Sequence, residues 1–364
     1  MTHSQRRGRL AARLTADGLD AVLVTDLVNV RYLTGFTGSN AALLVFADDT
    51  PPVLATDSRY RTQAARQAPD LHTVIERACG RHLVQLALAG GARRIGFESH
   101  VVTVDGLDVL GGPLSDYTGA DLVRASGAVE ALREVKDAGE VALLRLACEA
   151  ADAALAALVE RGGLRPGRTE RAVARDLEAL MLDHGADGAS FETIVAAGAN
   201  SAVPHHRPTE AVLDSGDFVK IDFGALVGGY HSDMTRTFVL GRASGWQREI
   251  YEVVATAQRA GVEALEVGAA LRDIDASARC VIVDAGYGDH FGHGLGHGVG
   301  LQIHEAPGIN SAATGTLRAG SVVTVEPGVY LPDRGGVRIE DTLLVGARGP
   351  EPLSRFTRRL TVIE

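Results

Sequence analysis

Residues 217–240 read DFVKIDFGALVGGYHSDMTRTFVL, with an apolar run on either side of Gly228-Gly229. A Gly-Gly pair in this setting predicts a β-hairpin with a two-residue turn, because both turn positions need a positive φ. In the resulting register Asp222 and Asp233 are diagonal neighbours on one face, roughly 7–8 Å apart at the backbone. Two such carboxylates repel each other unless a positive charge lies between them. The hairpin therefore predicts either a cation site or a solvated pair on an exposed sheet face.

The size and composition of the chain indicate an ordinary globular protein of two domains. Its 364 residues exceed the usual size of one domain, and 46% of them are hydrophobic. A net charge of −10 argues against nucleic acid or an anionic membrane as the main partner. The three cysteines are far apart and indicate buried thiols in a reducing compartment. With no signal peptide and no apolar run of about 18 residues, we expect a cytoplasmic protein.

The pattern of elements changes near residue 126. Before it, short strands alternate with helices, which predicts a small α/β domain over residues 1–125. After it, the pattern predicts an α+β domain over residues 126–364, with helices around mostly antiparallel strands. The C-terminal strands of this second domain are predicted at residues 299–303, 321–326, 336–345 and 358–363.

A glycine-rich segment, FGHGLGHGVGLQIHE (residues 291–305), carries His293, His297 and His304. Glycine occupies every second position from 292 to 300, which disfavours a helix because each internal glycine costs about 1 kcal/mol relative to alanine. The pattern favours an extended segment that backbone or substrate approaches closely. One histidine in such a segment is more often structural, but three within twelve residues favour a functional site.

Two glutamates lie at the ends of predicted strands, Glu326 in SVVTVEPG and Glu340 in GGVRIEDTLLV. Taken singly, each is also compatible with a surface position. Together with Asp222, Asp233 and His297 they make four carboxylates and one imidazole. Burying four anions together is prohibitive without cations, and two divalent metals would neutralise them. This ligand set suits manganese, which we expect first, with cobalt or zinc as alternatives.

These residues, in this order, resemble the pita-bread metallopeptidases, the family of methionine aminopeptidase, aminopeptidase P and prolidase. The matching stretches are VPHH (203–206), IDFGALVGGYHSDMTRTF (221–238), HGLGHGVGLQIHE (293–305), TVEPGVY (324–330) and GGVRIEDTLLV (335–345). The resemblance covers the whole second domain. It implies a pita-bread catalytic domain, an antiparallel sheet flanked by helices, preceded by a smaller α/β domain of the creatinase type. That N-terminal domain would serve substrate access and oligomerisation, with a homodimer expected.

The resemblance also assigns roles to single residues. Asp222, Asp233 and Glu340 would bind or bridge two metal ions, and His297 and Glu326 would complete the shell of one of them. Glu326 would in addition accept a proton from water and deliver it to the leaving prolyl nitrogen.

Substrate contacts follow from the same resemblance. His205 and His304 would contact the substrate and the tetrahedral intermediate, His293 would line the pocket for proline, and Arg338 lies beside the last ligand. Because His206 directly follows His205, the choice between these two histidines stays open.

The N-terminal domain indicates the proline-specific branch of the family. YLTGFTGSNAALLV (32–45) and TDSRY (56–60) resemble aminopeptidase P more than the typical prolidase. We therefore expect an Xaa-Pro aminopeptidase acting on small peptides with proline at the second position. The alternative is a prolidase that cleaves only dipeptides. Arg59 would bind a substrate anion or, alternatively, be an exposed arginine at a helix start.

A binding module without catalysis is a further alternative, from a different functional class. Proteins of this fold that bind partners without cleaving them are expected to have lost metal ligands. All five ligands are present in this chain. The sequence therefore favours an enzyme.

Overall fold

The computed structural model describes residues 1–364, which form two compact units, Met1–Arg133 and Glu134–Glu364. The predicted boundary at residues 125 and 126 precedes the short helix Glu130–Arg133. This helix belongs to the first unit, because Glu130 and Arg133 both bond the side chain of Asn29. No helix in the fold combines the length and the apolarity needed to cross a membrane.

The first unit is an α/β domain around one mixed sheet. Its strands are β1 (Ala21–Val24), β2 (Ala41–Phe46), β3 (Val53–Thr56), β4 (His72–Ile75), β5 (Arg94–Phe97) and β6 (Asp121–Arg124), in the spatial order β4-β3-β2-β1-β5-β6. Its helices are α1 (His3–Ala16), α2 (Leu27–Thr34), α3 (Arg61–Gln67), α4 (Cys79–Ala89), α5 (Val104–Gly111) and α6 (Glu130–Arg133). Buried residues of the central strands, such as Leu23 and Leu44, pack against Leu83 of α4.

The second unit has four helices and several small sheets. The helices are α7 (Ala138–Glu160), α8 (Glu170–Asp183), α9 (Gly245–Glu263) and α10 (Leu271–Asp284). The first strands are β7 (Gly188–Ala189), β8 (Ile194–Ala197), β9 (Phe218–Phe223), β10 (Ala225–Val227), β11 (Tyr230–His231) and β12 (Met234–Leu240). The remaining strands are β13 (Gly296–Gly298), β14 (Glu305–Ile309), β15 (Val322–Val325), β16 (Gly328–Leu331), β17 (Gly335–Arg338), β18 (Asp341–Gly346), β19 (Gly349–Pro352) and β20 (Thr361–Ile363).

These strands form four sheets, with the orders β11-β10-β7, β20-β12-β9-β8, β14-β13-β15-β18-β19 and β16-β17. All neighbours pair antiparallel except β12 with β20. One hydrophobic core joins α7 and α8 to β9 and β12, and another joins α9 and α10 to β15 and β18. The expected α+β architecture is confirmed.

The predicted hairpin is present, with Gly228 at φ 55° and Gly229 at φ 81°. Asp222 pairs with Thr235 across β9 and β12. The ladder is interrupted at Gly224, where a Cβ would lie 1.8 Å from the carbonyl oxygen of Ser232. Only glycine permits this close approach, which places Asp233 directly before β12.

Two C-terminal predictions were wrong. Residues 299–303 form no strand; β13 ends before them and β14 begins after them. The predicted strand 336–345 is two strands, β17 and β18, which belong to different sheets. One cysteine also differs from the expectation, since Cys79 and Cys148 are buried but Cys280 is exposed.

Candidate metal centre

One cavity of about 1000 Å³ collects the predicted residues of the second unit. Its lining includes His205, Asp222, Asp233, His293, His297, His304, Glu326, Arg338 and Glu340. These side chains come from strands and loops that are far apart in the sequence. The fold therefore brings all five predicted metal ligands to one place.

The four predicted acidic ligands lie on strands or directly beside strand ends. Asp222 lies on β9, Glu326 directly follows β15, and Glu340 lies between β17 and β18. Thr235, the cross-strand partner of Asp222, donates from its hydroxyl to Glu340 Oε2 at 2.7 Å. Asp233, His297 and Glu340 each offer a ligand atom within 4.8 Å of one another.

The four predicted carboxylate ligands carry more negative charge than the one buried guanidinium of the cavity, that of Arg338, can neutralise. Asp222 Oδ1 and Glu340 Oε1 are buried and have no hydrogen-bond partner. Burial, followed by repulsion from Glu340, raises the pKa of Asp233 well above its ordinary value, and burial next to Glu326 does the same for Glu340. Unpaired carboxylate oxygens at this depth are unfavourable unless a cation binds them. The donor set therefore fits a divalent metal centre.

The tautomer of His297 also fits a metal ligand. Its Nδ1 lies 3.1 Å from the carbonyl oxygen of Gly298, which can only accept, so Nδ1 carries the proton. Its Nε2 faces Glu326 Oε1 at 3.3 Å and Asp233 Oδ2 at 3.6 Å. A histidine that binds a metal through one nitrogen commonly donates from the other to a backbone carbonyl.

Arg338 supplies the one buried guanidinium of the cavity. It bonds Asp222 through Nη2 and donates from Nε to the hydroxyl of Thr235 at 2.9 Å. Its Nη1 donates to Tyr330 Oη at 3.0 Å and to the carbonyl of Pro204 at 3.3 Å. Arg338 thus neutralises one of the four acids and connects the centre to the adjacent wall.

His293 lies in that wall as an uncharged ring. Its Nδ1 donates to the carbonyl of Gly294 at 2.8 Å, so its Nε2 accepts from Tyr330 Oη at 2.9 Å. Burial lowers the pKa of His293, and Phe291 packs edge-on with its centroid 4.9 Å away. A neutral ring beside an aromatic edge suits an apolar group such as a pyrrolidine.

The neighbouring histidines 205 and 206 have different environments. His206 Nε2 donates to Glu170 Oε2 at 2.8 Å, and its side chain is 12% exposed. His205 is exposed along the cavity. The ring of His304 packs edge-on against the ring of His297, with an interplanar angle of 76° and 4.4 Å between the ring centroids. His205 and His304 therefore line the cavity, whereas the side chain of His206 is held by its hydrogen bond to Glu170.

Arg59 is the predicted site residue that lies in the first unit. Its guanidinium donates to Asp57 at 2.8 Å from both Nε and Nη2, and its side chain is 63% exposed. Asp57 also caps the turn at residues 58–60. The role of Arg59 in substrate binding remains a prediction.

Three buried side chains around the site were not predicted from the sequence, those of Glu170, Lys220 and Tyr330. Tyr330 is the last residue of the matched stretch TVEPGVY, and Lys220 lies two residues before Asp222 on the same face of β9. The sequence therefore contained evidence that could have placed both residues near the site. For Glu170, the first residue of α8, the sequence offered only its position directly after the helix cap Thr169.

The fold and the carboxylate-rich cavity fit a metal-dependent enzyme. Residues 142–347 match the model of metallopeptidase family M24, and residues 6–135 match the creatinase/prolidase N-terminal domain. The chain belongs to metallopeptidase family M24.

Solved structures and curated relatives agree with this membership. An Xaa-Pro dipeptidase from Bacillus anthracis superposes with a TM-score of 0.93 at 36% identity, covering 99% of this chain and 100% of the other. An X-Pro aminopeptidase from Thermotoga maritima superposes with a TM-score of 0.89 at 32% identity, covering 98% of this chain and 99% of the other. An Xaa-Pro dipeptidase of Pyrococcus horikoshii is 34% identical over 346 residues, 94% of this chain and 95% of the relative.

Proposed function

We propose that this chain is an Xaa-Pro dipeptidase that uses two divalent metal ions. The observation that carries the proposal is the convergence of five ligand side chains in one cavity, with oxygens of Asp222 and Glu340 left without partners. The two dipeptidases of Bacillus anthracis and Pyrococcus horikoshii support a dipeptide substrate more than the aminopeptidase P specificity expected from residues 32–60.

The metal ions would be held by Asp222, Asp233, His297, Glu326 and Glu340. When bound, two such ions supply Lewis acidity and lower the pKa of water. Manganese is the first candidate on the ligand set. Homodimer formation and a cytoplasmic location remain predictions from the sequence.

The protein side chains divide the remaining work. Burial raises the pKa of Glu326, but the hydrogen bond and charge of His297 bring it below its ordinary value, so Glu326 is an anionic proton acceptor. It receives a proton from water and delivers it to the prolyl nitrogen, which leaves poorly without one. His205 and His304 donate to the carbonyl oxygen of the scissile bond as negative charge develops there.

The proline side of the substrate would lie against the wall built from His293 and Tyr330. The neutral His293 ring offers an apolar surface, and Tyr330 and Arg338 hold that ring in place. This wall is what would select proline over flexible residues.

An X-Pro aminopeptidase is the second candidate, favoured by the Thermotoga maritima structure and by the stretch at residues 32–45. The experiment is a peptide panel with metal-loaded enzyme: Ala-Pro, Ala-Pro-Ala and the control Ala-Ala. Cleavage of Ala-Pro alone supports the dipeptidase. Release of alanine from Ala-Pro-Ala at a comparable kcat/KM supports the aminopeptidase, and cleavage of neither proline peptide contradicts both.

A further inference from the structure

The chain contains only two lysines among its 36 lysine and arginine residues, Lys136 and Lys220. The side chains of both are buried completely. Lysine is among the residues least often buried, because its ammonium is strongly hydrated. Every other basic side chain of lysine or arginine type in this protein is an arginine. Lys136 and Lys220 are therefore exceptions to the otherwise uniform use of arginine in this chain.

Lys220 holds the segment that carries His205. From β9 its Nζ donates to the carbonyl of Val203 at 2.7 Å and to the carbonyl of Pro204 at 3.2 Å, and it lies 5.0 Å from the centre of the Tyr330 ring. These carbonyls belong to the two residues directly before His205. The contact fixes the backbone from which the His205 side chain projects.

Lys136 holds the loop that carries His304. Its Nζ lies 2.8 Å from Glu305 Oε1, in an ion pair whose side chains are 0% and 4% exposed. The Glu305 carboxylate covers Gly300, where a Cβ would lie 2.2 Å from Oε1. It also accepts from the backbone N–H of Gln302 at 3.4 Å. The loop thus folds around a charge that Lys136 neutralises.

Neither lysine is among the residues that line the cavity. We propose that Lys220 and Lys136 are positioning residues, which act on catalysis through His205 and His304 respectively. The inference rests on the proposed function, since that proposal gives these histidines their contact with the substrate. Each lysine acts on one loop, so the two effects are separable.

A pair of double-mutant cycles tests this assignment with kcat and KM for Ala-Pro. Lys220→Met and Lys136→Met keep the approximate length of the side chain and remove its amine. We expect each to lower kcat roughly tenfold to a hundredfold, because small displacements of a catalytic group have effects of this size. Metal content and unfolding temperature are measured on every variant.

We expect the effects on kcat to be non-additive when the lysine and the histidine substituted belong to the same pair, Lys220 with His205 or Lys136 with His304. Lys220→Met should change kcat by no more than about twofold in a His205→Ala background, yet keep its full effect in a His304→Ala background. Lys136→Met should show the reverse. The crossed pairs are the matched controls. Equal loss in both backgrounds, or loss abolished in both, overturns the proposal.

Further variants keep the test decisive if a methionine variant does not fold. Glu305→Gln removes the carboxylate charge beside Lys136 and retains the shape, and Lys220→Gln retains one amide donor near the Val203 carbonyl. They enter the same cycles with the same non-additivity expected, and Lys220→Gln, which keeps one donor, should lower kcat less than Lys220→Met. Failure of the proposed function would show separately, as a wild-type enzyme that cleaves no Xaa-Pro peptide before any variant is compared.

Discussion

His206 Nε2 donates to Glu170 Oε2 at 2.8 Å, while the adjacent His205 faces the cavity. The pair therefore divides into one histidine that holds the local structure and one that faces the cavity. Glu170 is fully buried and accepts five hydrogen bonds, from the backbone N–H groups of Ala197 and Thr209 and from the side chains of Asn200, His206 and Thr209. It organises the whole segment between β8 and residue 209.

His205→Ala and His206→Ala should separate catalysis from stability. Loss of His205 should lower kcat by about 10²–10³, the effect of removing one donor to a developing oxyanion. Loss of His206 should lower the free energy of unfolding by about 1.5–3 kcal/mol, because a hydrogen bond to a charged group is lost. Steady-state kinetics and urea denaturation check the two. The opposite pattern would show that His206 is the substrate contact.

Glu170→Gln should remove a contribution to the free energy of unfolding that the wild type has at neutral pH and loses in acid. Burial raises the pKa of Glu170, but its hydrogen bonds to Ala197 and other donors lower it more, so the folded-state pKa is below 4.5. Its ionised form therefore contributes stability above pH 4.5 that is lost as pH falls through the folded-state value. The wild type should exceed the variant by about 2 kcal/mol at pH 7. Urea denaturation from pH 7 to 3 should show this gap narrowing only below pH 4.5; a constant gap would contradict it.

Glu326→Gln should leave the fold intact and remove catalysis. The amide keeps the shape of the side chain but cannot accept the proton that the prolyl nitrogen requires. We expect kcat for Ala-Pro to fall by about 10²–10⁴, the usual contribution of a positioned acid–base group. The unfolding temperature and the metal content, measured by mass spectrometry, serve as controls. Full activity in this variant would refute the assigned role.

Metal removal should abolish activity and destabilise the second unit. Without cations Asp222 Oδ1 and Glu340 Oε1 remain buried and unpaired beside Asp233. Chelation should therefore eliminate Ala-Pro cleavage and lower the unfolding temperature, and added Mn²⁺ should restore both, since a ligand that binds only the folded state stabilises it. Elemental analysis should find two ions per chain. An Asp233→Asn variant should respond weakly to Mn²⁺; an unchanged response would argue against this centre.

Gly296 and Gly292 make a matched pair within the glycine-rich segment. A Cβ at Gly296 would lie 2.0 Å from the carbonyl oxygen of Thr324, whereas one at Gly292 meets nothing within 4 Å. Gly296→Ala should therefore lower the free energy of unfolding by about 3 kcal/mol or more, because backbone must move. Gly292→Ala should change it by no more than about 0.5 kcal/mol. Thermal denaturation of both variants checks this, and equal effects would contradict the close approach.

Much of the fold was predictable because its signals are local. The Gly228-Gly229 turn specified the hairpin and its register, and β15, which Glu326 directly follows, lies within the strand predicted at residues 321–326. The strand expected at residues 299–303 failed for a different reason. Val299, Leu301 and Ile303 alternate as in a strand, but the Glu305 carboxylate folds back over that loop.

The parts of the site that escaped prediction depend on long-range partners. Glu170 lies 36 positions from His206, and the ammonium of Lys220 bonds carbonyls 16 and 17 positions away. Pattern and spacing in the sequence do not encode such contacts. The placement of α6 in the first unit likewise depends on Asn29, about a hundred positions earlier.

The burial of both lysines has a practical consequence for labelling this protein. Reagents that acylate primary amines find no accessible side-chain amine among the folded residues 1–364, so neither lysine should be labelled until the second unit unfolds. The rate at which a fluorophore couples to Lys136 and Lys220 would therefore report the opening of that unit, without any engineered cysteine.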